Sequence, residues 1–158
     1  MNSSSSTETE TLTGEDQIFP ARLHHIGFVV NSIAASAQGF IDSLHATWDG
    51  NIFHDPLQRV RVTFLQSRVP GEACMELVEP ADEQSPVTGF LRSGGGLHHL
   101  CYEVDDLELQ LKAARSHGAL VVKPPLPAAA FGGRRIAWVF TRQRLLLEYL
   151  EASKKELA

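Results

Sequence analysis

Two histidine pairs stand at matching places in the chain, His24-His25 and His98-His99, with His25 and His99 74 residues apart. About fifty residues after each pair comes a glutamate inside an apolar run, Met75-Glu76-Leu77-Val78 and Leu147-Glu148-Tyr149-Leu150. Two imidazole nitrogens and two carboxylate oxygens form a donor set that suits a divalent first-row ion better than a thiolate-loving one. Such an ion acts as a Lewis acid, polarising a carbonyl and easing removal of a neighbouring proton. A carboxylate on an apolar face is costly to bury unless it is paired or bound to a metal. Four such residues recurring in register therefore read as one symmetric site.

The positioning elements follow from periodicity. Side chains two apart in a strand share a face. Glu76 then lies with Cys74 and Val78, and Glu148 with Leu146 and Leu150, which makes both glutamates inward. Glu79 and Glu151 fall on the opposite faces, near the strand ends. His25 shares its face with Gly27 and Val29, and His99 with Leu97, Cys101 and Glu103. His24 lies instead with Ile26, Phe28 and Val30, and His98 with Leu100, Tyr102 and Val104, a face suited to packing under a helix. A glycine beside a ligand would leave room for whatever the metal holds. Face composition thus favours His25 and His99 while leaving His24 and His98 open.

Taken in order, residues 22–31 read as a strand, and Ser32 can cap a helix with Ile33, Ala37, Phe40, Ile41 and Leu44 on one face. Residues 46–53 suit a short strand with a turn or bulge at Asp49-Gly50. Strands at 59–66 and 73–79 flank a Pro70-Gly71 turn. A connector, 81–95, carries a helical turn through Phe90-Leu91. A strand at 97–104 leads to an N-cap at Asp105 or Asp106 and a helix with Leu107, Leu111 and Ala114 inward, stopped at His117-Gly118. Strands at 120–123, 136–140 and 145–151 complete the chain. The fold class is α+β: a β-α-β-β-β unit used twice, as modules 21–80 and 96–152 of one domain spanning 21–152.

Composition narrows the function classes. With 158 residues there is length for one ordinary domain, and 43% hydrophobic with 21% charged residues is usual for a globular chain. A net charge of -5 argues against nucleic acid as a partner. There is no apolar run of bilayer length, so no membrane association is expected. The opening Met1–Thr11 has neither a basic nor an apolar signal region. Residues 1–20 and 153–158 are expected to be tails, the first of them solvated and disordered to about Asp16. Cys74 and Cys101 sit in strand-like runs and read as small buried hydrophobes, so a disulfide-free cytoplasmic protein is expected.

Five segments carry a family resemblance: His24-His-Ile-Gly27, Met75-Glu-Leu-Val-Glu-Pro80, Ser85-Pro-Val-Thr-Gly-Phe-Leu91, Gly95-Gly-Leu-His-His-Leu-Cys-Tyr-Glu-Val-Asp-Asp106 and Leu146-Leu-Glu-Tyr-Leu-Glu151. Over about Leu23 to Ala152 the chain resembles the vicinal oxygen chelate (glyoxalase/bleomycin resistance/dioxygenase) superfamily, and within it the methylmalonyl-CoA epimerases. The resemblance implies an open, cup-shaped mixed sheet, usually in a homodimer, around one divalent ion such as Co2+, Zn2+, Ni2+, Mn2+ or Fe2+. It implies His25, Glu76, His99 and Glu148 as ligands, and Glu148 as ligand and catalytic base. The implied substrate is a small molecule, an acyl-CoA, whose α-proton is removed and returned. A glyoxalase I-type lyase or isomerase, needing one base, and a non-catalytic small-molecule binder are the alternatives.

The chain departs from the epimerase pattern twice. The third-strand region where a second catalytic glutamate is expected reads Arg59-Val60-Arg61-Val62, and Phe140-Thr-Arg-Gln-Arg144 replaces a His-Pro-Lys segment. Arg134 and Arg135, after Phe131-Gly132-Gly133, are candidates for holding a substrate carboxylate or phosphate.

Overall fold

A computed structural model describes residues 20–153. Apart from Pro20 and Ser153, the two expected tails lie outside the described residues. The first half runs β1 (Ala21–Val29), α1 (Ile33–Leu44), β2 (Thr47–Trp48), β3 (Phe53–Asp55), β4 (Val60–Gln66) and β5 (Cys74–Pro80). A short helix α2 (Thr88–Arg92) leads to β6 (Gly96–Val104), α3 (Leu107–Ser116), β7 (Leu120–Pro127), a 3-10 turn (Ala129–Phe131), β8 (Arg135–Phe140) and β9 (Leu146–Glu151).

The strands form one mixed sheet in the order β2-β4-β5-β1-β6-β9-β8-β7, with β3 paired to β4. At its centre β1 and β6 run antiparallel, β5 lies parallel to β1, and β9 parallel to β6. The two halves thus repeat each other about the β1–β6 seam. This is the open α+β sheet that the doubled pattern implies.

Each helix covers the convex face of its own half. Ile33 and Ala37 of α1 pack with Val30, Leu65 and Leu77, while Leu107, Leu111 and Ala114 of α3 pack with Val104, Ala137 and Tyr149. The alternate residues face the concave side, where Val29, Val60, Val62 and Val78 form one apolar wall and Cys101, Ile136 and Leu150 another. The helix starts are set by side-chain caps. Ser32 Oγ accepts from Ala35 N at 3.3 Å, and Asp106, rather than Asp105, accepts from Leu109 N at 2.9 Å. Glu79 is more than an outward strand-end charge: it is buried, pairs with Arg61, and accepts from Ile33 N at 2.6 Å.

Three local expectations change. The stretch 46–53 is not one strand. Asp49 folds back on Asn51 N at 2.9 Å and splits it into β2 and β3, both paired to β4. The strand expected at 120–123 runs on through Pro124, Pro125 and Pro127, because β7 is the sheet's edge and a missing amide there leaves no ladder bond unmade. The faces of the two histidine pairs also differ from strict alternation, for a reason that belongs to the site.

Curvature brings the two ends of the strand order together. Asp55, at the end of β3, accepts from Gln58 N at 2.9 Å and from Ala129 N at 3.1 Å, so one buried carboxylate ties the first half to the turn that precedes β8. Lys123 Nζ of β7 donates to Gln58 Oε1 at 2.8 Å. The sheet stays open along its ladders, and side chains span its rim.

Candidate metal centre

The β1–β6 ladder carries two irregularities, and each falls on the first histidine of a pair. Between Leu23 and His25 the register advances two residues on β1 for one on β6, leaving His24 as the extra residue. Between Gly27 and Phe28 it advances one on β1 for two on β6, from His99 to Leu97, leaving His98 as the extra residue. A bulge of this kind bends the strand and re-aims a side chain. As a result each first histidine stands beside its neighbour. His24 Nδ1 lies 2.9 Å from His25 Nδ1, and His98 Nδ1 lies 3.0 Å from His99 Nδ1.

With Nδ1 engaged in this way, the Nε2 atoms of His25 and His99 point at each other, 3.1 Å apart on the floor of the cup. Glu76 Oε2 is 3.3 Å from both, and Glu148 Oε2 is 3.1 Å from His25 Nε2 and 3.6 Å from His99 Nε2. All four residues are buried, and Glu148 Oε2 makes no hydrogen bond of acceptable geometry. The ladder explains the convergence: Gly27 is paired with both Glu76 and His99, and Cys101 with both His25 and Glu148.

These residues fit a divalent ion. Ligands roughly 2.0–2.2 Å from a first-row ion stand about 2.9–3.6 Å from one another, and the five distances above, 3.1–3.6 Å, fall in that range. The two facing Nε2 atoms can share a hydrogen bond only when one carries a hydrogen and the other does not, and that arrangement still leaves Glu148 Oε2 unbonded. An ion between them would engage both nitrogens and the unbonded Glu148 oxygen together. The bulge histidines supply the outer contacts that fix ring orientation, as ligand histidines usually require.

Electrostatics agree. Burial pushes His25 down, but Glu76 and then Glu148 outweigh it and raise it to about 10; His99 is raised by the same two carboxylates against its burial. Glu76 and Glu148 are held below the usual carboxylate range, their burial overcome by the two histidines. The outer histidines go the other way. Burial, then the neighbouring His25, lowers His24, and burial, then His99, takes His98 down to about 4. Cys101 lies with His24 and His25 in a second possible donor group, but burial, then Glu148, raises its thiol, and a protonated thiol is a poor ligand.

The pattern of known proteins described as Glyoxalase/Bleomycin resistance protein/Dioxygenase superfamily matches residues 24–138. The chain belongs to this superfamily. Among curated relatives it is 31% identical over 120 residues to an ethylmalonyl-CoA/methylmalonyl-CoA epimerase of Cereibacter sphaeroides, covering 75% of this chain and 87% of that one. It is 34% identical over 127 residues to an uncharacterised Bacillus subtilis protein, covering 77% and 84%. Among solved structures, a hypothetical protein of Bacillus halodurans superposes with a TM-score of 0.74 at 28% identity, over 87% of this chain and 99% of that one. The methylmalonyl-CoA epimerase of Mycobacterium tuberculosis superposes with a TM-score of 0.71 at 24% identity, covering 89% and 96%, a likeness of fold.

In this superfamily member the cluster borders a cavity of about 360 Å³. Glu76, His99 and Glu148 line it, and most of the remaining wall is apolar, including Val60, Val62, Val78, Ile136 and Trp138. Trp138 packs edge-on to His99 with ring centroids 4.7 Å apart and lines the cavity. His98 also lines the cavity, wedged between Phe90 of α2 and Trp138. Its helix-packing expectation is therefore met in part: it touches a helix, but from the concave side.

Arg134 and Arg135 do not line this cavity. Arg134 Nη1 donates to Glu103 Oε2 at 2.7 Å and to the Glu151 carbonyl at 3.3 Å, and Arg135 is held by Glu108 at 2.7 Å and Glu151 at 2.6 Å. Their guanidiniums engage carboxylates at the sheet's margin, outside the lining of this cavity. The polar residues of the cavity that the sequence did not single out are Asp55, Gln58 and Lys123. Their one signal was Lys123 itself, a charge closing the apolar run Ala119-Leu-Val-Val122.

Proposed function

We propose that the protein is a divalent-metal-dependent epimerase of 2-substituted acyl-CoA thioesters, of the methylmalonyl-CoA type. The observation that carries this reading is the convergence of His25, Glu76, His99 and Glu148, three of which line a mostly apolar cavity. The likeness to the Cereibacter enzyme supports the choice of substrate class.

A divalent ion held by these four residues would take up the thioester carbonyl and a vicinal carboxylate oxygen and so acidify the carbon between them. The chain's own residues supply the rest. The apolar wall excludes water and receives the 2-alkyl substituent, with room for more than a methyl group. Glu148 is ionised at neutral pH, its carboxylate held down by His25 and His99. It removes the α-proton: the C–H bond breaks, its electron pair moves to the thioester oxygen as an enolate, and the proton goes to the carboxylate. Delivery of a proton to the opposite face by a water molecule, with Glu148 giving its own proton back to solvent, would invert the carbon. With metal-reconstituted protein, one methylmalonyl-CoA epimer in heavy water should acquire deuterium at the α-carbon. Absence of exchange with each of Co2+, Zn2+, Ni2+, Mn2+ and Fe2+ would sink this reading.

One observation favours a second reading. Of the carboxylates lining the cavity, Glu76 and Glu148 sit in the cluster and Asp55 is occupied by two backbone amides. A single-base isomerisation of the glyoxalase I type needs no further carboxylate. Conversion of the methylglyoxal–glutathione hemithioacetal, followed by absorbance, separates the two.

A further inference from the structure

The cavity has a second polar place besides the four-donor cluster. Lys123 is the one lysine or arginine among its described lining residues, and its Nζ donates to Gln58 Oε1 at 2.8 Å. An ammonium only donates, so this bond fixes the amide: Oε1 must face Lys123 and Nε2 must face away. That Nε2 is buried and has no hydrogen-bond partner among the described residues, although Gln58 as a whole is only 7% exposed. A buried donor left unmade is costly and asks for an explanation.

The surroundings make this a built place. The Gln58 backbone N–H donates to Asp55 Oδ1 at 2.9 Å, and Asp55 Oδ2 accepts from Ala129 N at 3.1 Å. On the other side Lys123 is registered against Trp138, and Trp138 against Glu148. Two strand spacings of about 4.8 Å therefore separate the Lys123 and Glu148 backbones. The stretch between them is apolar. A donor pair carrying one positive charge thus stands roughly a small molecule's length from the metal-ligand cluster.

We propose that Gln58 and Lys123 form an oxyanion subsite of this cavity, which holds a carboxylate or phosphate of the same small molecule whose vicinal oxygens face Glu76, His99 and Glu148. Lys123 contributes the charge and its remaining N–H groups, and Gln58 contributes the unused Nε2 donor. The subsite stands apart from the reaction at the other end, although the choice of thioester probes rests on the acyl-CoA reading. It selects ligands with an anionic group as well as a chelating one, and it ranks neutral thioesters below them.

The test is calorimetric binding to the metal-reconstituted protein of four probes: methylmalonyl-CoA, propionyl-CoA, CoA and inorganic phosphate. Lys123→Met should weaken the anion held there by about tenfold or more, and Lys123→Arg should stay within about threefold of the parent. Gln58→Glu keeps the Lys123 contact but replaces the Nε2 donor by a carboxylate oxygen, and it should weaken the same probe without depending on how Lys123→Met folds. If methylmalonyl-CoA alone is weakened, the anion is the acyl carboxylate; if CoA and phosphate are weakened with it, the anion is a phosphate of the carrier. Both outcomes support the subsite. Binding of all four probes within twofold of the parent in Lys123→Met and Gln58→Glu overturns it, as does a parent protein that binds none of them. A parent that binds but exchanges no deuterium leaves the subsite standing and removes the epimerase reading. Exchange with unaltered variant binding does the reverse.

Discussion

Gly27 and His99 face each other across the β1–β6 ladder so closely that a Cβ on Gly27 would lie 2.0 Å from His99 Cε1. The sequence suggested that this glycine leaves room for what the metal holds. The room is taken by the His99 imidazole itself, whose Cε1, Nδ1 and Nε2 lie 2.0–2.5 Å from where that Cβ would stand. Gly27→Ala should therefore push the His99 ring off the cluster, lowering metal affinity on the order of 10- to 100-fold, as loss of ligand orientation does elsewhere. Competition against a chromophoric chelator reads the constant. An unchanged constant would mean the ring has another way to reach the ion.

Glu148 is proposed as both ligand and base, and the two roles should separate by substitution. Glu148→Ala removes a ligand oxygen and the proposed base together, so both metal content and α-proton exchange should fall. Glu148→Gln keeps an oxygen that can reach the ion but cannot take up a proton at neutral pH. It should retain more metal than the alanine variant while exchange drops by roughly 10²–10⁴-fold. Elemental analysis beside the deuterium assay checks both, and a glutamine variant that exchanges at the parent rate would exclude Glu148 as the base.

The pH behaviour of the metal-free protein has a definite sign. His25 is raised above its ordinary 6.5 to about 10, so its contribution to stability is complete below 6.5 and is lost as pH climbs toward 10. Glu76 and Glu148 are lowered from 4.5, so their contribution is present above 4.5 and is lost as pH falls further. Metal-free protein should melt highest between about 4.5 and 6.5 and lose Tm steadily above that window. An ion needs the imidazoles unprotonated, so its binding should release protons and tighten as pH rises. Melting scans with and without ion, and calorimetry in buffers of differing protonation heat, test the pair of expectations.

Asp55 holds the rim. Asp55→Ala leaves the backbone N–H of buried Gln58 and that of exposed Ala129 without their acceptor and should destabilise the fold by about 1–2 kcal/mol. It should also loosen the cup, since those two bonds tie β3 to the turn before β8. Denaturant unfolding measures the first effect, and weaker binding of a thioester probe without loss of metal measures the second.

The outer histidines are a further check on the centre. His24 and His98 each place Nδ1 within hydrogen-bond reach of a ligand's Nδ1. His24→Phe keeps an aromatic ring against Phe64 and Phe131 but removes that partner, and should weaken metal binding on the order of tenfold. Unchanged affinity would assign His24 to packing alone.

The chain's doubled pattern determined a good deal by itself. Strand alternation put Glu76 and Glu148 on inward faces, and the 74-residue echo put His25 and His99 in equivalent places, because a period of two and a repeated unit are local properties of the chain. The caps at Ser32 and Asp106 are equally local. What alternation misassigned is where the ladder breaks it: bulges at His24 and His98 turn adjacent histidines toward each other, and a bulge is a relation between two strands. The fates of Arg134 and Arg135, engaged by Glu103, Glu108 and Glu151, were likewise undecided until distant strands met. So was the pairing of Gln58 with Lys123, 65 residues away at the other end of the strand order. Residue type and spacing specify which groups can do chemistry. Only the curl of the sheet, which closes one edge toward the other, decides which of them share a cavity.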